Sequence, residues 1–152
     1  MHLIAGNWKM NGMPGAAKSL AEQIDARAKA AKSLPDILLC PPAPLSGVVG
    51  AAISSGPVKL GAQDCHAKEN GAHTGDTSAS LLAAVGCEFV IVGHSERRTD
   101  HRETSGEVML KSLAALSAGL TPIICVGETG EERDAGRASE VIAAQVAGSI
   151  PE

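Results

Sequence analysis

Phe89-Val90-Ile91-Val92-Gly93-His94-Ser95-Glu96-Arg97-Arg98 is the stretch on which the fold turns. Four apolar residues ending in glycine read as a short buried strand, and Gly93 lets the backbone turn without a Cβ clash. Behind the glycine come an imidazole, a hydroxyl, a carboxylate and two guanidinium groups. In parallel α/β folds ligands bind at the carboxyl ends of strands, where this cluster stands. Ser95 is a suitable N-cap, which places His94 beside the positive end of a helix dipole. Such a potential disfavours imidazolium and favours a neutral ring that donates a hydrogen bond. A single histidine closing a strand is commonly structural; the polar company of His94 makes it a candidate for chemistry.

Outward from this strand, apolar runs and amphipathic stretches alternate. Strands are expected at Leu3–Gly6, Ile37–Cys40, Val58–Ala62, Phe89–Val92 and Pro122–Val126. Helices are expected over Pro14–Lys32, with Leu20, Ile24 and Ala28 at helical spacing, and over Leu45–Ile53, residues 77–85, Glu103–Leu116 and Glu131–Ala147. Strands alternating with helices imply βαβ units and a parallel sheet with right-handed crossovers. Loops after strands (Asn7–Gly12, Gln63–Gly75, Gly93–Arg102, Gly127–Gly136) are polar and glycine-rich. That asymmetry suits a (β/α) barrel and is equally compatible with an open doubly wound sheet. No Gly-x-Gly-x-x-Gly and no Walker A sequence follows a strand, so a dinucleotide or P-loop site lacks its phosphate cradle.

Composition narrows the function. The 152 residues are 44% hydrophobic and 20% charged, the balance of a soluble globular protein, and no composition break marks an internal boundary. Trp8 and Phe89 are the only aromatic residues, so the core rests on Ala, Val, Ile and Leu. A net charge of -4 with mixed signs argues against nucleic acid as partner. The chain shows neither a leader nor a bilayer-length apolar run, giving the expectation of a cytoplasmic protein away from membranes. Cys40, Cys65, Cys87 and Cys125 have no Cys-x-x-Cys spacing and no zinc-site pattern with histidine, and are expected as reduced thiols, Cys40 and Cys125 as buried ends of apolar runs.

Three loops supply candidate site residues: Asn7 and Lys9 after the first strand, His94 and Glu96 after the fourth, Glu128 after the fifth. Lys9 is a point cation suited to a phosphate or a developing enolate. Alone it reads more naturally as a solvated surface lysine, and Glu128 as an ion-pair or helix-terminus carboxylate.

Taken together, several segments resemble the triosephosphate isomerase family: Ala5-Gly6-Asn7-Trp8-Lys9-Met10-Asn11, Cys40-Pro41-Pro42, Leu60-Gly61-Ala62-Gln63-Asp64, Gly71-Ala72-His73-Thr74-Gly75, Val92-Gly93-His94-Ser95-Glu96-Arg97-Arg98, and Gly119 through Thr129. They follow the family's order and spacing. The resemblance implies a (β/α)8 TIM barrel, here an incomplete barrel of about five parallel strands with alternating helices. It also implies interconversion of dihydroxyacetone phosphate and glyceraldehyde 3-phosphate through an enediolate, in glycolysis and gluconeogenesis. Asn7 and Lys9 would bind substrate, Lys9 and His94 would be catalytic, and Ser95 and Glu96 would support them, Glu96 through Lys9. The role of His94 as neutral electrophile comes with the family. Thr74 and Gly75 would lie in a loop that crosses into a second subunit of a homodimer. No metal or organic cofactor is implied.

The sequence departs from the family pattern at Asp64, usually Asn; at His73, usually a small or aromatic residue; and at Arg102, where Gly is common. Length departs too, since a full barrel takes roughly 250 residues. The segment bearing the family's catalytic glutamate, after a sixth strand, has no counterpart in these 152 residues. Residues 1–152 are therefore expected to be the N-terminal part of a single barrel domain, nearly inactive alone. A catalytically inert half-barrel or oligomerisation module of the same family is the alternative.

Overall fold

A computed structural model describes residues 2–152. Five strands, β1 (Leu3–Asn7), β2 (Asp36–Cys40), β3 (Lys59–Ala62), β4 (Phe89–Val92) and β5 (Thr121–Ile124), form one parallel sheet in the order β1-β2-β3-β4-β5. The sheet curls into a half-barrel. Helices α1 (Pro14–Ala30), α2 (Ser46–Ile53), α3 (Ala79–Val85), α4 (Ser95–Asp100), α5 (Ser105–Ser117), α6 (Gly130–Asp134) and α7 (Ala138–Ser149) connect or follow the strands, with one 3-10 turn at Ala43–Leu45.

Successive side chains of a strand point to opposite faces. Leu39, Leu60, Ala62, Val90 and Val92 pack outward into the main core with the helices, while Leu38, Cys40 and Ile91 face inward beside Phe89 and Ile123. Both faces are covered in the middle of the sheet, which is why β2 and β4 read as unbroken apolar runs rather than alternating ones. Pro122 is tolerated because β5 pairs only with β4 among the described residues, leaving its other edge free.

The strands lie where the sequence puts them, to within two residues at each end. The helices need four corrections. In α1 the buried face is Ala17, Ala21, Asp25 and Ala28, with Leu20 exposed. Small side chains let α1 pack closely, and Asp25 is tolerated there by Lys29 Nζ, 2.7 Å from its Oδ2. The stretch after β4 is not all loop, because it contains α4. Its N-cap is His94 rather than Ser95, His94 Nδ1 accepting from Glu96 N. The helix expected over 131–147 is two, interrupted at residues 135–137 where Gly136 takes φ 72°. Cys125 is only half-buried, because it lies past the end of β5. The other three thiols are buried, and all four are free. Among the described residues no helix is long and apolar enough to cross a membrane.

Candidate active site

The carboxyl ends of β1, β3 and β4 meet at one groove of about 580 Å3, lined by Asn7, Lys9, Gln63, His94, Glu96 and Arg97 among others. Lys9 has φ 51°, a left-handed conformation that is uncommon for a residue with a Cβ. Its backbone is held there by neighbours: Lys9 N donates to Asn7 Oδ1 at 2.9 Å, and Gln63 Nε2 donates to Lys9 O at 2.9 Å and to Cys40 O at 2.8 Å. A strained backbone held by side chains from two strands is the kind of feature that gathers at working sites.

Lys9 Nζ donates to Glu96 Oε1 at 2.6 Å. That bond holds the Glu96 carboxyl below the usual carboxylate range, with the charges of Lys9 and His94 adding to it. An ammonium has three donors, so the pair leaves Lys9 others for an anion.

His94 is placed by Gly93, whose φ of 67° turns the chain out of β4. An added Cβ at Gly93 meets Val108 Cγ2 at 2.8 Å and Arg98 Nη2 at 2.9 Å. Arg98 in turn ties the end of β4 to its surroundings, donating to Gly93 O, Cys125 O and Ser149 Oγ. Because His94 Nδ1 accepts from Glu96 N at 3.3 Å, a neutral ring carries its proton on Nε2. The groove thus joins a cation, an amide and a donor imidazole, a set able to bind an anion and polarise a carbonyl.

Ser95 opens α4 at the groove's rim. Glu128 stands apart, accepting from Arg133 Nε at 2.8 Å, and its carboxyl is held below the usual range by its own backbone amide and by Arg133. Thr74 and Gly75 are exposed in the loop between β3 and α3, away from the groove, and the base of that loop is closed by His66 N donating to Thr77 O at 2.8 Å.

Beneath the groove lies a four-charge network that single-sequence reading misses. Lys111 Nζ contacts Asp64 Oδ1 at 2.8 Å and Glu103 Oε1 at 2.5 Å, and Arg97 contacts Asp64 Oδ2 at 2.9 Å and Glu103 Oε1 at 2.5 Å. Burial opposes ionisation of Glu103, but the bonds from Lys111 and Arg97 outweigh it and hold the carboxyl low. Burial wins at Asp64 and pushes it up, against Lys111 and Arg97. The four residues are scattered from 64 to 111, and nothing local in the chain announces their meeting.

Known proteins place the whole. A family model described as triosephosphate isomerase matches residues 2–152. The triosephosphate isomerase of Acidiphilium cryptum is 55% identical over 150 residues, covering 99% of this chain and 58% of its own length. That of Afipia carboxidovorans is 53% identical, with 99% and 59% covered. The crystal structure of triosephosphate isomerase from Bartonella henselae superposes with a TM-score of 0.89 at 42% identity, covering 99% of this chain and 62% of that one. The chain thus spans about three fifths of the length of these relatives. With the half-barrel, the groove and these likenesses together, the chain belongs to the triosephosphate isomerase family.

Proposed function

We propose that this chain supplies the binding and electrophilic half of a triosephosphate isomerase, a cytoplasmic glycolytic enzyme interconverting dihydroxyacetone phosphate and glyceraldehyde 3-phosphate. What supports this most is that Asn7, Lys9 and His94, drawn from two strands of a chain 55% identical to a relative of that name, line one groove. Lys9 and Asn7 bind the substrate, Lys9 placing positive charge near the phosphate and the reacting oxygen. His94 donates from Nε2 to the carbonyl while a base removes a proton from the adjacent carbon, stabilising the enediolate oxygen as charge develops. The proton then returns to the neighbouring carbon while the hydroxyl proton passes from the oxygen that becomes the carbonyl to the one that becomes the hydroxyl. Ser95 and Glu96 keep α4 and Lys9 in position.

We take the base to lie outside these residues: of the carboxylates lining this groove, Glu96 and Asp64 are ion-paired, and Asp100 sits at the far end of α4. The polypeptide of 152 residues, purified free of host isomerase, is therefore expected to turn over far more slowly than a complete barrel, since a positioned base contributes on the order of 10²–10⁴ in rate. The groove is open to water, which favours loss of phosphate from an enediolate. In the complete enzyme the loop from Asn70 to Gly75 inserts beside the partner's first loop to make a homodimer.

The test is isomerisation of glyceraldehyde 3-phosphate by the complete barrel and by its His94→Gln variant. A fall in kcat of about 10²–10³, the scale of losing one oxyanion donor, is expected. Unchanged kcat removes His94 from the chemistry. The inert-module reading is favoured instead if the complete polypeptide also fails to isomerise.

A further inference from the structure

We propose that His66, His73 and Asp76 form a binding site for a divalent transition-metal ion of the zinc type, which staples the loop between β3 and α3. The inference is independent of the groove at His94. One donor atom from each of the three residues lies within 4.8 Å of the other two. His66 Nε2 is 3.8 Å from Asp76 Oδ2. The two imidazole rings lie against each other at a tilt, centroids 4.0 Å apart and planes inclined by 31°. All three residues line a cavity of about 240 Å3, so there is room for an ion with bound water.

The backbone holds this arrangement together. Asp76 N donates to His73 O at 3.0 Å and His66 N to Thr77 O at 2.8 Å, so the three donors belong to one hydrogen-bonded frame. Two imidazoles and a carboxylate suit zinc, nickel, copper or ferrous iron, whereas magnesium and calcium take oxygen donors. Tetrahedral zinc, with bonds of about 2.0–2.1 Å to nitrogen, wants its donors about 3.3 Å apart. Rotation of the exposed Asp76 and the half-buried histidines supplies the small closure required. Three protein donors leave a fourth position to water.

The ring proton must also be placed. His66 Nδ1 accepts from Lys68 N at 3.0 Å, so without metal the neutral ring carries its proton on Nε2, facing Asp76. Ligation through Nε2 moves that proton to Nδ1 and releases the Lys68 amide. Metal binding therefore competes with one backbone hydrogen bond and reports itself there.

Untagged protein is titrated with zinc by calorimetry, with cobalt by visible absorption, and with zinc while amide resonances are recorded. One ion per chain with micromolar Kd, a tetrahedral cobalt spectrum and a shifted Lys68 amide are expected. His66→Asn and His73→Phe each weaken zinc binding by roughly tenfold or more, since loss of even a supporting partner costs a metal site that much. His2→Gln leaves it unchanged. His73→Phe retains an aromatic ring and keeps the test valid where His66→Asn fails to fold. No ion bound more tightly than millimolar, or an affinity indifferent to His73→Phe, overturns the proposal.

Discussion

Lys9 Nζ and Glu96 Oε1 lie 2.6 Å apart although 87 residues separate them in the chain. The pair ties the loop after β1 to the first turn of α4, and both side chains are about half exposed. Ion pairs this open contribute little to stability, so what this one supplies is placement of the ammonium. In the complete enzyme Lys9→Ala is expected to raise KM and lower kcat together. Glu96→Gln should keep the fold and impair substrate binding less than Lys9→Ala does. Steady-state kinetics beside thermal melting separates the two effects. A Glu96→Gln variant that loses Tm without any change in KM or kcat contradicts the positional role.

The backbone at Gly93 and Arg102 makes opposite demands. Gly93→Ala meets both a left-handed φ and contacts with Val108 under 3 Å, so it is expected to cost about 2–4 kcal/mol by urea denaturation. Arg102 holds φ 57° on the surface with a Cβ in place. Arg102→Gly is expected to stabilise by about 0.5–1 kcal/mol, relief of strain exceeding the added chain entropy. A destabilised Arg102→Gly protein contradicts this account.

In the network below the groove, the two carboxylates are not equivalent. Asp64 is pushed up by burial, so its charge is poorly supported in the fold, and Asp64→Asn is expected to change stability by less than about 1 kcal/mol at pH 7. Both carboxylates meet both cations, but Glu103 is the more buried and the one held ionised, so Glu103→Gln leaves Lys111 under-compensated in a buried site, with an expected loss of about 3 kcal/mol. Equal losses from the two variants rule out this inequality.

Alkaline pH tests the buried thiols. Burial pushes Cys40 and Cys65 up to about 12 and Cys87 to about 11, from an ordinary 9.0. From pH 9 upward the unfolded chain therefore releases protons that the folded chain retains, and stability falls as pH rises towards the folded values. For Cys40 and Cys65 the loss is at most about 1.4 kcal/mol per pH unit for each thiol. Urea midpoints recorded from pH 8 to 10.5 are expected to fall, with a shallower slope in Cys65→Ala. A flat profile sinks the attribution.

Much of this architecture is legible in the chain. Leu38-Leu39-Cys40 and Phe89 through Val92 announce strands covered on both faces, whereas the capping boxes at Thr104/Glu107 and Thr129/Glu132 emerge with the structure. The break between α6 and α7 is hidden because good helix formers, Ala135 and Arg137, flank Gly136. His94 capping α4 is hidden as well, histidine being an unusual cap. Asn7, Lys9 and His94 stand in motifs that survive reading as text. Asp64, Arg97, Glu103 and Lys111 acquire meaning only when distant segments meet, and His66, His73 and Asp76 match no familiar ligand spacing.

The strand order follows the chain order without exception, each strand pairing with one that begins roughly 20 to 35 residues further on. A sheet of this kind grows by accretion. During synthesis each β/α unit can dock on the one already made, with no need to wait for a remote partner, so early units serve as template for later ones. The growing tip is the outer edge of β5. That edge has polarity: it admits a parallel strand whose connecting helix crosses right-handed to the outside, and penalises any other addition. The nascent chain thereby carries at every stage the instruction for its next step.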